Sequence, residues 1–166
     1  MVFAFESATA EERNNYFFLN FAGYSVRFEN DIKDFEESGA AGSFGYGRVI
    51  SDYAAFEIFI STYGEVKDEI LNIERKASGR AFGTYLVGSW PISEYFRLNG
   101  KVGAANWKFT LEDDVLGKEN QDGTDVLYGA GIALDADHDS TIRLEYDAYL
   151  NGVDVSVISL GFQHNF

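Results

Sequence analysis

The sequence has no cysteine, one proline (Pro91), one methionine and only two histidines in 166 residues. Without cysteine there is no disulfide framework, no thiolate zinc site and no cysteine nucleophile. Imidazole chemistry has only His138 and His164 to draw on. The first lies between Asp137 and Asp139 in a polar stretch and the second two residues before the last, so no catalytic constellation forms and no enzyme is expected. Apolar runs of about 18 residues are also missing, which excludes a transmembrane helix. Bases are scarce: 13 Lys and Arg stand against 27 Asp and Glu, for a net charge of -14. No basic stripe exists to displace phosphate counterions, so nucleic acid is not a partner.

Aromatics, by contrast, are plentiful at 16%, nearly all Phe and Tyr, which suits strands and the boundary between lipid and water. Seventeen glycines recur inside apolar stretches, as at Gly129 and Gly131. Each would cost about 1 kcal/mol relative to Ala in a helix interior.

Alternation with period two runs along the chain. In S-T-I-R-L-E-Y-D-A-Y-L, Ile142, Leu144, Tyr146, Ala148 and Leu150 share one face, and Thr141, Arg143, Glu145, Asp147 and Tyr149 share the other. A strand sends successive side chains to opposite faces, so this ribbon is apolar on one side and charged on the other. The same reading predicts eight strands, at about 16–28, 42–51, 54–66, 79–90, 95–110, 125–135, 140–151 and 153–166. Residues 1–15 are expected to be a flexible N-terminal segment; Met1 to Phe5 is too short for a secretory apolar region, and Ala8-Thr9-Ala10 has the small-x-small pattern of a cleavage site.

The connections alternate in length. Tight polar turns are expected at Ser51-Asp52-Tyr53, Pro91-Ile92-Ser93-Glu94 and Asp137-His138-Asp139. Long loops are expected at 29–41, 66–78 and 112–124, and a short N-G hairpin turn at Asn151-Gly152. Asp135-x-Asp137-x-Asp139 opens like a calcium loop, but Ser140 stands where the sharp-turn glycine belongs and the twelfth-position Glu is missing, so it reads as a polar turn. No metal or cofactor site is expected. The fold class is all-β: an eight-stranded antiparallel up-and-down barrel of residues 16–166, closed because closure removes unpaired edges.

Two barrels fit this count. One is a soluble, lipocalin-like barrel that holds an apolar ligand; the other is a transmembrane barrel with its apolar face outward. Charge position and strand length bear on the choice. Glu57, Arg97, Lys101, Arg143, Glu145 and Asp147 are strand charges of both signs, which can pair across a lumen just wide enough for side chains. The apolar faces (Phe56, Ile58 and Ile60; Phe96, Leu98 and Val102; Ile158, Leu160 and Phe162) lie on segments that reach the roughly 9–11 residues a membrane strand needs. Aromatics gather near strand ends, at Tyr16, Phe17, Phe18, Trp90, Tyr95, Phe96, Trp107 and Phe166, as two interfacial girdles would. In Y-F-F-L-N-F and F-G-Y-G-R-V-I the two faces are not separable by pattern, and strand four is less clean as well.

Carried by T-I-R-L-E-Y-D-A-Y, L-Y-G-A-G-I-A-L, W-P-I-S-E-Y-F and V-S-V-I-S-L-G-F-Q-H-N-F, the chain resembles the OmpA-like and OmpX-like eight-stranded outer-membrane β-barrels of Gram-negative bacteria over residues 16–166. The resemblance implies a monomer in the cell outer membrane, with termini and tight turns periplasmic and longer loops extracellular. It implies charged pairs that plug the lumen, at Glu57, Arg97, Lys101, Arg143 and Glu145. It also implies a C-terminal assembly signal read by the outer-membrane assembly machinery. Ser159, Gly161 and Phe166 fit that signal, and His164 takes a slot usually held by Tyr or Phe. The remaining expected partners are outer-membrane lipid and lipopolysaccharide, and an extracellular partner for the acidic loops (Glu29, Asp31, Asp34, Glu36 and Glu37; Glu112, Asp113, Asp114, Glu119 and Asp122). The expected function is structural or surface interaction. The alternatives are a narrow pore for ions or small solutes and the soluble barrel above.

Overall fold

The computed structural model describes residues 14–28, 35–70, 73–113, 117–150 and 154–166. Among them are eight strands: β1 (Asn15–Phe28), β2 (Phe35–Ser51), β3 (Ala54–Ile70), β4 (Ile73–Pro91), β5 (Phe96–Asp113), β6 (Gly117–Asp135), β7 (Ser140–Tyr149) and β8 (Asp154–Asn165). Each pairs antiparallel with its sequence neighbours, and β1 pairs with β8, so the sheet closes into a barrel without edges. At the seam Leu19 stands opposite Phe162 and Asn20 opposite Gly161. The Phe166 amide donates to the Asn15 carbonyl at 2.9 Å, and the Phe166 ring stacks on Phe17 at 5.0 Å.

Tight turns connect β2 to β3, β4 to β5 and β6 to β7, all at the end of the barrel that carries Asn15 and Phe166. The segments expected as long loops are different. Much of 35–41, 66–70, 73–78, 112–113 and 117–124 is strand, because the hairpins continue in register well past their apolar parts. Thus Glu36, Glu37, Glu112, Asp113, Glu119 and Asp122 lie on strands. Glu29, Asp31, Asp34, Asp114, the Asn151-Gly152 turn and all of the N-terminal segment before Asn14 fall outside the described residues.

The outward face divides into a belt and an overhang. On β4 the belt runs from Phe82 to Trp90, on β5 from Phe96 to Ala104 and on β6 from Val126 to Leu134, about nine residues each. Above it the outward residues turn polar within one step: Thr62, Arg80, Lys108 and Asp122 form a single row across β3 to β6. The opposite rim carries one aromatic girdle, with Phe17, Tyr53, Trp90, Tyr95, Phe96 and Phe166 exposed. The second girdle expected from the sequence is not formed by the residues named for it. Tyr16, Phe18 and Trp107 point into the lumen.

Their inward direction has a packing reason. Tyr16 lies opposite Gly47 and Phe18 opposite Gly45 on β2, and a methyl group at either glycine would strike the ring. Trp107 covers Gly123 and Phe109 covers Gly79 in the same way. Small barrels fill their interior by setting large residues against small ones. This also resolves the strands whose faces the pattern left open. Tyr16, Phe18 and Asn20 face in while Phe17, Leu19 and Phe21 face out; Gly45 and Gly47 face in while Phe44 and Arg48 face out.

Candidate functional site

The lumen holds a ladder of alternating charge. Glu57 comes from β3, Lys101 from β5, and Arg143, Glu145 and Asp147 from every second position of β7. Period two places the three β7 groups on one line along the inner wall. Arg143 Nη1 donates to Glu57 Oε1 at 2.8 Å, and Arg143 Nε to Glu145 Oε1 at 2.9 Å. Lys101 Nζ bridges Glu145 Oε2 at 2.9 Å and Asp147 Oδ2 at 3.1 Å. The order is therefore Glu57, Arg143, Glu145, Lys101, Asp147, and each acid touches a base. A buried charge is tolerable only with such pairing and with further hydrogen bonds. Tyr16 Oη donates to Glu57 Oε1 at 2.9 Å, and Gln163 Oε1 accepts from Arg143 Nη1 at 3.3 Å. The two cations also sit against rings, the Arg143 guanidinium 4.9 Å from the Phe18 centroid and Lys101 Nζ 4.6 Å from Tyr85.

Glycines make room for the acids as well. Gly129 lies opposite Asp147 and Gly131 opposite Glu145, and a methyl group at either would strike the carboxylate side chain.

Above the ladder the lumen fills with aromatics. Phe59 stacks on Tyr85 at 4.9 Å, Tyr24 meets Tyr63 edge-on at 5.2 Å, and the Tyr63 and Tyr149 hydroxyls bond to each other. Trp107 Nε1 donates to Asp125 Oδ2 at 2.7 Å, which gives that buried carboxylate its partner. A cavity of about 240 Å³ lies below the ladder at the short-turn end, and one of about 40 Å³ lies above it, with Glu57 on the wall of both.

Of the six charges singled out in the sequence, five converge. Arg97 does not. It sits at the start of β5, near the short-turn rim, where Nη2 donates to Asp135 Oδ1 at 2.6 Å; both side chains are about a third exposed. Asp135 also accepts from Thr141 Oγ1 at 2.7 Å, and Asp137 Oδ1 accepts the Asp139 amide at 2.8 Å, so two of the three turn aspartates serve the rim and the turn. Sequence reasoning missed Asp125, Asp135, Tyr16 and Gln163. Asp125 shares parity with Leu127 and Gly129, but as the first residue of the strand expected at 125–135 it does not count among the mid-strand charges. In the C-terminal stretch Ser159 and Gly161 face the lumen, and His164 and Phe166 face outward.

The OmpA-like transmembrane domain model matches residues 6–159. No curated protein matches the chain in sequence. Among solved structures, the attachment invasion locus protein Ail of Yersinia pestis is 19% identical with a TM-score of 0.65, covering 92% of this chain and 99% of its own. The N-terminal β-barrel domain of Pseudomonas aeruginosa OprF is 14% identical with a TM-score of 0.64, and neisserial surface protein A is 12% identical with a TM-score of 0.63; each likeness covers 90% of this chain and 97% of the other.

Proposed function

We propose that this chain, which belongs to the OmpA-like transmembrane domain family and is thus a small eight-stranded outer-membrane β-barrel, acts as a sealed anchor that displays its long hairpins outside the cell for contact with other surfaces. The observation that carries this reading is the division of the strands into belt and overhang. β3 to β6 run 17 to 19 residues, while a tilted membrane strand needs roughly 9–11. The surplus lies on the side away from the tight turns, and its outward row at Thr62, Arg80, Lys108 and Asp122 is polar and charged. Such an overhang costs an extra ordered backbone that a passive membrane staple does not need, so it is read as the working part. The name of Ail, an attachment protein, is in keeping with contact as the role.

The ladder supports a sealed lumen rather than a pore. Arg143, Glu57 and Glu145 are each at most 2% exposed and span the barrel between the two cavities. A charged lumen is also no cup for an apolar ligand, which removes the basis for the lipocalin-like alternative. In this reading lipid and lipopolysaccharide surround the belt, Ser159, Gly161, His164 and Phe166 present the closing strand to the assembly machinery, the barrel works as a monomer, and no residue performs catalysis.

The native chain has no cysteine, so single cysteines report cleanly. Lys108→Cys on the overhang and Asp52→Cys at a tight turn are to be treated with a membrane-impermeant maleimide on intact cells. Labelling of Lys108→Cys alone is expected; labelling of Asp52→Cys alone overturns the orientation.

A further inference from the structure

The cavity of about 40 Å³ above the ladder is polar in an unusual way. Three side-chain oxygens on residues of its wall have no hydrogen-bond partner: Asn20 Oδ1, Glu57 Oε2 and Ser159 Oγ. Those residues are 6%, 1% and 3% exposed. An unsatisfied polar atom is costly at such depth, and three around one cavity ask for a common partner. Asp147 adds a fourth oxygen. Its Oδ1 lies 2.9 Å from Lys101 Nζ as an ion pair but has no aligned hydrogen bond.

Charge narrows the identity of that partner. The charged groups on the wall are Glu57 and Asp147 against Lys101, two acids to one base. The whole ladder shows the same excess, with Glu57, Glu145 and Asp147 against Lys101 and Arg143. One positive charge would balance it. Carboxylate, amide and hydroxyl oxygens are the hard donors that hold hard cations. Two acids against one base leave a net charge of one on the wall, which matches a monovalent cation and not a divalent one. A single water needs about 10–15 Å³ of such volume, so the chamber has room for a small ion and a water or two.

We propose that the chamber binds one small monovalent cation, held by Asn20 Oδ1, Glu57 Oε2 and Ser159 Oγ, with Asp147 as the balancing charge. The Tyr63–Tyr149 pair lies on the wall above and the ladder lies below, so the ion sits between them. It acts as a structural counter-ion of the lumen and not as a permeant species.

The test refolds the complete chain into detergent micelles in sodium chloride and, at equal ionic strength, in N-methylglucamine chloride, whose cation is too large for the chamber. In sodium the unfolding temperature is expected to rise saturably with concentration, as for any ligand bound only by the native state. Ser159→Ala is expected to weaken that dependence and Asp147→Asn to abolish it. Crystals grown in thallium(I) should show an anomalous peak in the chamber. If Asp147→Asn does not fold, Ser159→Ala and the thallium peak decide. Equal unfolding temperatures in the two salts with no thallium peak mean that water alone fills the chamber and overturn the proposal. So does a dependence on sodium that both variants leave unchanged.

Discussion

Arg143 and Glu57 meet at 2.8 Å from β7 and β3, strands that stand four apart in a barrel of eight and therefore face each other across its full width. One ion pair thus spans the lumen. Arg143 also holds Glu145 on its own strand, so it is the node of the ladder.

Loss of that node is expected to be severe. Arg143→Met leaves Glu57 without a base and Glu145 with Lys101 alone, which costs about 3–5 kcal/mol. The triple variant Glu57→Gln, Arg143→Met, Glu145→Gln removes charge from all three and should be more stable than the single one. Urea unfolding of the refolded barrels, read by circular dichroism, checks the order; a triple variant weaker than Arg143→Met would refute the ladder as an electrostatic unit.

Conductance separates a plug from a pore. In planar bilayers the native barrel should give no resolvable steps. Glu57→Ala or Arg143→Ala should raise conductance, and Glu36→Ala, on a strand overhang, should leave it unchanged. Equal effects of all three would sink the plug.

Glycine substitutions test the packing of the lumen. Gly47→Ala drives a methyl group into Tyr16 and should cost about 1–3 kcal/mol of overpacking. Gly100→Ala, where nothing lies within 4 Å, is the control and should be near neutral. Tyr16→Ala should rescue Gly47→Ala in part, and lack of coupling in the double-mutant cycle would count against the paired packing.

The two tryptophans report on the membrane. Trp90 is 70% exposed on the girdle, while Trp107 is turned inward and bonded to Asp125. Brominated lipid should quench Trp90 and spare Trp107, so Trp107→Phe should leave the quenched signal intact. The same variant strands the Asp125 carboxylate and should cost about 1–3 kcal/mol in stability. Quenching that disappears with Trp107→Phe would contradict the assignment of faces.

The belt portions of the strands were legible because only there does the outward face keep an apolar period of two. Past Thr62, Arg80 and Lys108 the outward apolar period stops, and V-K-D-E-I-L-N-I-E-R-K, which keeps no alternation, looks like a loop although its ends are paired strand. The faces of β1 and β2 were illegible for a different reason. Tyr16 and Phe18 are as apolar as Phe17 and Leu19, and only the register with Gly47 and Gly45, a property of two strands together, shows which side each takes. The same holds for the ladder. Arg143, Glu145 and Asp147 could be placed on one face from one strand, but the choice of Glu57 and Lys101 over Arg97 depends on closure and stagger around all eight.

The interdigitation of glycines with large side chains has a consequence for how such an interior can change. The width of the bore is written in couples of residues on neighbouring strands and not in single positions. Enlarging one member collides with the other, and shrinking one opens a void that its partner cannot fill. Inside, substitutions must therefore travel two at a time, while on the belt any apolar residue can replace another alone. To open a channel through this barrel, the large member of each couple along one side would have to be trimmed and its glycine left in place.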